Sequence, residues 1–280
     1  MKKLLSIICA ALMVSACASS SASSPSTDPS CENASGKTSL TVLAASSLVN
    51  VLTDQKDEML AEIPCISNIE FSFGSSTALA AQIANGAPAD LFISASESAA
   101  ESVRVALGLK ALSQPFTYNR GEIMVSTRSK FYEKFNNIAD MRESANPGIQ
   151  IGVCVASAPC GKIADEIFQK SEAVLEVGGL TRKLITDTEA SSVEELVTKI
   201  KLGELDAGIV YHSDCYVASE DESVECIEIA NAANAHTGYV AVRLTKDSVS
   251  DAIYNFLMAP AFQKVLNEKF GFYNYGYSLN

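Results

Sequence analysis

The sequence contains no tryptophan and only two histidines. Any aromatic contact to a ligand would therefore come from Tyr or Phe. Basic residues are also scarce, because 21 Lys and Arg stand against 33 Asp and Glu, for a formal net charge of −12. Nucleic-acid binding rewards basic surfaces, so this composition excludes that function. The same acidity argues against a protein held at a membrane by electrostatic attraction alone.

The 280 residues suffice for one large or two modest domains. At the N-terminus, Lys2 and Lys3 precede an apolar run from Leu4 to Val14. The run is too short for a permanent membrane-spanning helix, so residues 1–16 are predicted to be an export signal. Removal of Lys2 and Lys3 with this segment lowers the formal charge from −12 to −14.

The residues that follow resemble the lipobox of bacterial lipoproteins, since Val14-Ser15-Ala16 precede Cys17. In that family the peptide is cut before the Cys, whose thiol carries a diacylglycerol. The resemblance implies lipidation of Cys17 and anchoring to the bacterial cell membrane, which two acyl chains make durable. The alternative is an ordinary secretory signal cleaved after Ala16. Residues 17–37 are Ser-rich and are predicted to form a flexible tether.

Six cysteines remain after the signal and Cys17, and an even number in an exported chain suggests disulfides. Fifteen connectivities are possible. Short sequence separations favour two pairs and leave a third: Cys154–Cys160, Cys215–Cys226 and Cys31–Cys65. A structural metal site is disfavoured, because the sequence has no CxxC pair and no Cys/His cluster.

Apolar strand patterns alternate with helical patterns along the rest of the chain. Strands are expected at 40–45, 69–73, 90–94, 122–126, 149–153, 207–211, 226–229 and 238–244. Helices are expected at 78–85, 97–107, 160–170, 192–202, 248–257 and 260–269, and another carries Leu48, Leu52, Met59 and Ile63 on one face. This alternation predicts an α/β protein with mostly parallel sheets. Ligands of such sheets bind beyond the carboxyl ends of the strands.

Two strand-to-helix turns, at residues 43–48 and 73–77, carry small hydroxyl residues. Ser47 stands where a helix N-cap is expected. Helix N-termini have unpaired N–H groups and partial positive charge, so such turns suit anions. Neither turn contains Lys or Arg, which predicts an anion held by neutral donors. The alternative is that these serines only cap helices.

Several stretches resemble the molybdate-binding proteins of ABC importers. They are Val42–Leu48, Phe73-Gly-Ser-Ser, Leu79–Ile83, Gly86-Ala-Pro-Ala-Asp-Leu-Phe-Ile-Ser94, Ala207–Asp214 and Lys269–Phe272. The resemblance implies a two-lobed fold of the type II periplasmic-binding-protein kind, with the ligand in the cleft between the lobes. Lobe one would combine residues 38–117 and 236–280, and lobe two would hold residues 118–235. Asn119–Gly121 would mark a crossing between them.

The family holds a tetrahedral oxyanion with two serines, two backbone N–H groups and one tyrosine hydroxyl. Carried over by motif, the serines are Ser47 and Ser76, and the tyrosine is Tyr211. The backbone donors are Val193, which lies 18 residues before Tyr211, and Cys160, where the family usually has a small residue. Molybdenum would be present only within the oxyanion. Without the family resemblance, Tyr211 would be interpreted as an ordinary residue at the edge of the core, and Val193 as an ordinary helix residue.

The sequence therefore predicts an extracytoplasmic binding lipoprotein that delivers molybdate or tungstate to an ABC permease, without cofactor or catalysis, as a monomer. One alternative is another solute, such as sulfate, another oxyanion or a chelated metal, in the same fold. A second is a lipid-anchored hydrolase using Ser47 or Ser76. A nucleophilic Ser needs a base, and only His212 and His236 are available. Asp90 is expected to support the backbone, because a carboxylate facing an oxyanion would repel it.

Overall fold

The computed structural model describes residues 38–110, 114–145, 148–175, 179–245 and 248–274. The strands within these ranges are β1 Thr38–Ala45, β2 Ile66–Gly74, β3 Leu91–Ser94, β4 Thr117–Ser126, β5 Ile151–Cys154, β6 Thr188–Ala190, β7 Ala207–Tyr211, β8 Val224–Glu228, β9 His236–Arg243 and β10 Tyr273–Asn274. The α-helices are α1 Val49–Asp54, α2 Lys56–Glu62, α3 Ser76–Ala84, α4 Glu97–Ala106, α5 Pro159–Leu175, α6 Arg182–Ile185, α7 Val193–Leu202, α8 His212–Val217, α9 Ser248–Met258 and α10 Pro260–Phe270. Turns of 3₁₀ helix lie at Ser46–Leu48, Tyr132–Lys134 and Ile138–Ala145.

The strands form a continuous mixed sheet in the order β2-β1-β3-β9-β4-β7-β5-β6, with β8 and β10 also paired to β4. Strand β1 pairs in parallel with β2 and β3, and β5 pairs in parallel with β6 and β7. Every described pairing of β4 and β9 is antiparallel. The α/β class is confirmed, whereas the pairing is more mixed than the mostly parallel sheet expected, because β4 and β9 return through its middle.

Strand β4 connects the two parallel parts of the sheet. Its residues 117–120 pair with β9, and its residues 121–125 pair with β7. At the junction, a Cβ on Gly121 would stand 2.2 Å from the Cδ1 atom of Ile167 in α5. A larger residue at this position would therefore require the Ile167 side chain of α5 to move, where the chain passes from one part to the other.

The apolar core falls into groups that follow this division. One group contains buried residues between positions 123 and 235, on β4, β5, β7 and the helices around them. The others contain residues from 40–116 and 239–272. Each group covers a set of parallel strands with helices, as burial of both sheet faces requires. The lobe boundaries inferred above, at 117/118 and 235/236, stay predictions.

The segment after β1 differs from the single helix expected there. It contains a 3₁₀ turn and the two short helices α1 and α2, which meet at Gln55. Leu48, Leu52, Met59 and Ile63 are nevertheless all buried. The expected apolar face is correct, while the helix is interrupted at Gln55.

Two of the expected disulfides, Cys154–Cys160 and Cys215–Cys226, are confirmed. Cys65 is also disulfide-bonded, but Cys31 lies outside the described residues, so the third pairing stays a prediction. The export signal, the tether and Cys17 lie outside them as well. Within the described ranges, no helix has both the length and the apolar character needed to cross a membrane.

Candidate functional site

A small cavity opens where several parallel strands end. Strands β1, β2, β3 and β7 end at or directly before residues that line it, and α3, α5 and α7 begin beside it. The cavity occupies about 200 Å³ including its opening. Its lining residues are Ala45, Ser46, Ser47, Gly74, Ser75, Ser76, Ala95, Pro159, Cys160, Ser192, Val193 and Tyr211. The site thus lies at the carboxyl ends of the strands, where α/β sheets bind ligands.

All five residues predicted from the sequence line this one cavity: Ser47, Ser76, Cys160, Val193 and Tyr211. They come from five segments that are far apart in the chain. The structure therefore brings them together, while their action as ligands stays a prediction. Asp90 lies elsewhere, and its carboxylate accepts a hydrogen bond from the Thr41 N–H at 2.8 Å, which is the backbone role expected for it.

Ser76 is the first residue of α3 and is buried. Its Oγ accepts a hydrogen bond from the Ala95 N–H at 2.9 Å. Because a hydroxyl has one proton and the backbone N–H can only donate, this contact leaves the Ser76 proton available. The hydroxyl can therefore donate to a ligand in the cavity.

Ser47 lies within the 3₁₀ turn that follows β1 and is buried. Its expected role as an N-cap is wrong, because Ala45 holds that position and no side chain caps the turn. The Ser47 Oγ instead forms a 2.8 Å hydrogen bond with the phenol oxygen of Tyr239, a residue of β9. The serine is thus held by a distant side chain and not by its own helix.

Cys160 and Val193 lie at helix starts. Cys160 is the second residue of α5, and Val193 is the first of α7, where Ser192 caps the helix by accepting from the Glu195 N–H at 3.3 Å. The first four N–H groups of a helix have no partner within it, and they lie at its positive end. The disulfide joins the Cys160 side chain to Cys154, so the Cys at this position coexists with a backbone donor.

Tyr211 ends β7, and its side chain is 2% exposed. Its hydroxyl is buried and has no hydrogen-bond partner among the described residues. Burial is the main cause that raises the pKa of this phenol well above its usual range, so the group stays protonated. A buried, unsatisfied hydroxyl is costly, and this one is free to donate to a molecule in the cavity.

Asp214 lies one helical turn beyond Tyr211 and accepts a hydrogen bond from the Tyr211 N–H at 3.0 Å. Burial raises the pKa of its carboxyl to about 7, against the lowering effect of that hydrogen bond. The carboxylate does not line the cavity. It therefore acts on the backbone that positions Tyr211 rather than on a bound ligand.

Among the described residues, the lining contains no charged side chain and no histidine. Its hydroxyl and backbone N–H groups form a donor set that suits an oxyanion. The side-chain oxygens of Ser47 and Ser76 contact a phenol oxygen and a backbone N–H respectively. Binding of an anion is therefore chemically possible at this site, and the hydrolase alternative stays untested.

Two hydrogen bonds connect segments that belong to different core groups. Thr77 Oγ1 of α3, next to the cavity residue Ser76, donates to the Ser157 carbonyl at 2.7 Å. The Lys162 ammonium of α5 donates to Ser98 Oγ of α4 at 3.1 Å. These contacts therefore link the segments that contribute residues to the cavity.

Two residues behind Ser47, Tyr239 and Asn119, are not predicted from the sequence as part of the site. Asn119 Nδ2 lies 3.4 Å from the Tyr239 phenol oxygen, and both side chains are fully buried. Asn119 is predicted only as part of a chain crossing. The sole signal in the sequence is a polar residue inside each of two buried strands. His212 begins α8, and its Nδ1 atom lies 2.7 Å from Glu122 Oε2.

Residues 40–273 match the model of the bacterial extracellular solute-binding protein family. The chain belongs to this family. It is 28% identical over 259 residues to the molybdate-binding protein ModA of Mycobacterium bovis, covering 92% of this chain and 93% of that protein. The resemblance to molybdate-binding proteins is thereby confirmed.

Solved structures of other binding proteins share the fold. The sulfate-binding protein SubI of Mycobacterium tuberculosis matches with a TM-score of 0.71 and 15% identity, covering 86% of this chain and 88% of that one. The periplasmic molybdate-binding protein of Azotobacter vinelandii matches with a TM-score of 0.66 and 18% identity, covering 81% and 96%. The solute-binding fold expected from the sequence is confirmed.

Proposed function

We propose that this solute-binding protein captures molybdate or tungstate outside the cytoplasm and delivers it to the permease of an ABC importer. The observation that carries the proposal is the uncharged cavity with the buried, unpartnered hydroxyl of Tyr211. The proposed ligands of the oxyanion are the hydroxyls of Ser47, Ser76 and Tyr211 and the N–H groups of Cys160 and Val193. The similarity to a molybdate-binding protein over 92% of the chain supports the same ligand.

The donor set favours oxyanions that carry no proton. Each proposed group can donate, and a fully deprotonated tetrahedral dianion accepts at every oxygen. Monohydrogen phosphate would bring one proton that needs an acceptor, and leaving a buried donor unsatisfied costs about 1–3 kcal/mol. Phosphate should therefore bind more weakly than molybdate.

Sulfate is the second candidate, because it has the charge and the tetrahedral shape of molybdate, and a sulfate-binding protein shares the fold. Molybdate and tungstate are larger than sulfate, so the fit of the cavity would decide between them. The contact of Thr77 with Ser157 links segments of two core groups beside the cavity, which supports a closed form that encloses the anion. That closed form is the shape a permease would recognise.

Isothermal titration calorimetry of the purified full chain with molybdate, tungstate, sulfate and phosphate tests the ligand. Tight one-to-one binding of molybdate and tungstate with weak sulfate supports the proposal, while tight sulfate binding alone favours the second candidate. Silence with all four anions from a folded protein refutes an oxyanion ligand. Ser47→Ala and Ser76→Ala should weaken binding, whereas Ser171→Ala, which removes a fully buried hydroxyl outside the cavity, should not.

Lipid anchoring at Cys17 and the two-lobed division belong to the same proposal. Mass spectrometry of the N-terminal peptide from the mature protein would find a diacylglycerol on Cys17, and Cys17→Ala should release the protein from the membrane fraction. An unmodified N-terminus after Ala16 would support the ordinary secretory signal. Sedimentation of the delipidated protein would test the expected monomer.

A further inference from the structure

We infer that Tyr239 is a positioning residue that turns the hydroxyl of Ser47 into a hydrogen-bond donor facing the cavity, through a chain of hydrogen bonds that begins at Asn119. The inference rests on the proposed oxyanion ligand. It identifies the group that makes the Ser47 side of the site select an unprotonated oxygen. Neither residue lines the cavity. Tyr239 would therefore act only through Ser47.

The chain begins at the Asn119 side-chain amide, whose orientation is fixed by its neighbours. Its Oδ1 accepts from the backbone N–H groups of Arg120 at 3.1 Å and Ser213 at 3.3 Å. Two donors can only face an oxygen, so the other terminal atom is the nitrogen, and that atom donates. It donates to Ser213 Oγ at 2.7 Å and reaches the Tyr239 phenol oxygen at 3.4 Å.

The direction of the next hydrogen bond follows from this orientation. The Tyr239 oxygen accepts from Asn119, and its other hydrogen bond is the 2.8 Å contact to Ser47 Oγ. If Ser47 donated to Tyr239, the phenol proton would have no acceptor at a fully buried position, which is unfavourable. The phenol therefore donates to Ser47, and the Ser47 proton turns toward the cavity.

The surroundings keep Tyr239 in this role. Its side chain is fully buried, and its ring packs edge-on against Phe272 with centroids 5.3 Å apart. Burial also raises the pKa of the phenol, so it remains a proton donor throughout the physiological range. Because the Tyr239 phenol always donates to Ser47, the Ser47 hydroxyl must itself donate to the ligand and therefore suits an unprotonated oxygen. A protonated oxygen, as in monohydrogen phosphate, would meet the Ser47 proton instead of a lone pair.

The effect on binding is tested with Tyr239→Phe, which removes one hydroxyl and preserves the ring. Molybdate affinity should fall roughly 3- to 10-fold, the worth of a typical hydrogen bond. The ratio of molybdate to phosphate affinity should fall as well, because a freed Ser47 hydroxyl can rotate to accept. A merely structural tyrosine would not change that ratio. Tyr216→Phe is the matched control, since its hydroxyl donates to the Glu268 carbonyl, neither residue lines the cavity, and its loss should change neither value.

A double-mutant cycle shows whether Tyr239 acts through Ser47. Adding Tyr239→Phe to Ser47→Ala should weaken binding no further, because the group that Tyr239 positions is already gone. Added to Ser76→Ala, the same change should have its full effect. Equal effects in both backgrounds, or a change of less than twofold in the wild-type background, would overturn the inference.

Neutron diffraction from unliganded crystals tests the proton positions without any ligand. The inference requires deuterium on the Tyr239 oxygen directed at Ser47 Oγ, and a deuterium on Ser47 directed at Tyr239 would overturn it. This result is independent of the calorimetry. Failure of the wild type to bind any oxyanion would refute the proposed function while leaving the hydrogen-bond direction measurable.

Discussion

Replacing Tyr211 with Phe should have opposite effects on stability and on affinity, because the change removes only a hydroxyl. In the unliganded protein that hydroxyl is buried and unpartnered among the described residues. An unsatisfied buried polar group costs about 1–3 kcal/mol. Its removal should therefore stabilise the unliganded protein. Even 1 kcal/mol corresponds to a rise in Tm of roughly 2–4 °C for a domain of this size.

Affinity should change in the other direction. A hydrogen bond to a charged group contributes about 1.5–3 kcal/mol, and each 1.4 kcal/mol is tenfold in Kd. Tyr211→Phe should thus weaken molybdate binding by about 10- to 100-fold. Differential scanning calorimetry without ligand measures the first effect, and titration calorimetry measures the second.

The control for both measurements is Tyr216→Phe. Its hydroxyl donates to the Glu268 carbonyl at 2.7 Å, so its loss should lower stability slightly and leave affinity unchanged. An unchanged Tm together with an affinity within twofold of wild type would refute the reasoning, since the Tyr211 hydroxyl would then neither lack a partner nor contact the ligand.

Three further changes test the surroundings of the cavity. Burial raises the pKa of the Asp214 carboxyl above its unfolded value to about 7, so the protonated carboxyl stabilises the fold at low pH. The free energy of unfolding should therefore fall by a few kcal/mol as the pH rises from about 4 to 7. Melts at several pH values should show a shallower fall for Asp214→Asn. Gly161→Ala places a Cβ 2.0 Å from the Val155 carbonyl oxygen and should lower the free energy of unfolding, measured by urea denaturation, by roughly 1–3 kcal/mol. An unchanged free energy of unfolding would show that the start of α5 can move to accommodate the methyl group. Thr77→Val removes the hydroxyl that donates to Ser157 and should raise the rate of ligand release roughly 3- to 10-fold in stopped-flow measurements. An unchanged release rate would argue against a role of this hydrogen bond in closure.

Local sequence pattern was sufficient for most elements that carry the site. Strand β7 was predicted at its observed bounds, because its apolar run is continuous and buried on both faces. The convergence of Ser47 and Ser76 followed from the rule that parallel strands open at one sheet edge. Short elements such as β6 were missed, since three residues carry no readable period.

The hydrogen bonds behind the site were beyond sequence reasoning. Tyr239 lies 192 positions from Ser47, and the two meet only because β9 returns antiparallel beside β3, near the end of β1. Strand order at that distance depends on the whole packing of the sheet and not on local pattern. The wrong N-cap assignment of Ser47 has the same origin, because the residue that satisfies its hydroxyl comes from another strand.

The Cys154–Cys160 disulfide offers a test of how tightly the α5 start must be held. The bridge spans 6 positions, and loop-closure entropy assigns it a stabilisation of about 2 kcal/mol, against about 3 kcal/mol for Cys215–Cys226, which spans 11. Only the first bridge includes a residue of the cavity. Replacing each pair with serines should therefore separate the effect on stability from the effect on affinity. The Cys154/Cys160 variant should lose less stability in denaturation than the Cys215/Cys226 variant but more molybdate affinity, because the Cys160 N–H is no longer fixed to the end of β5. If affinity instead followed the loss of stability in both variants, the first bridge would support the fold as a whole, and the backbone donor at position 160 would not depend on it.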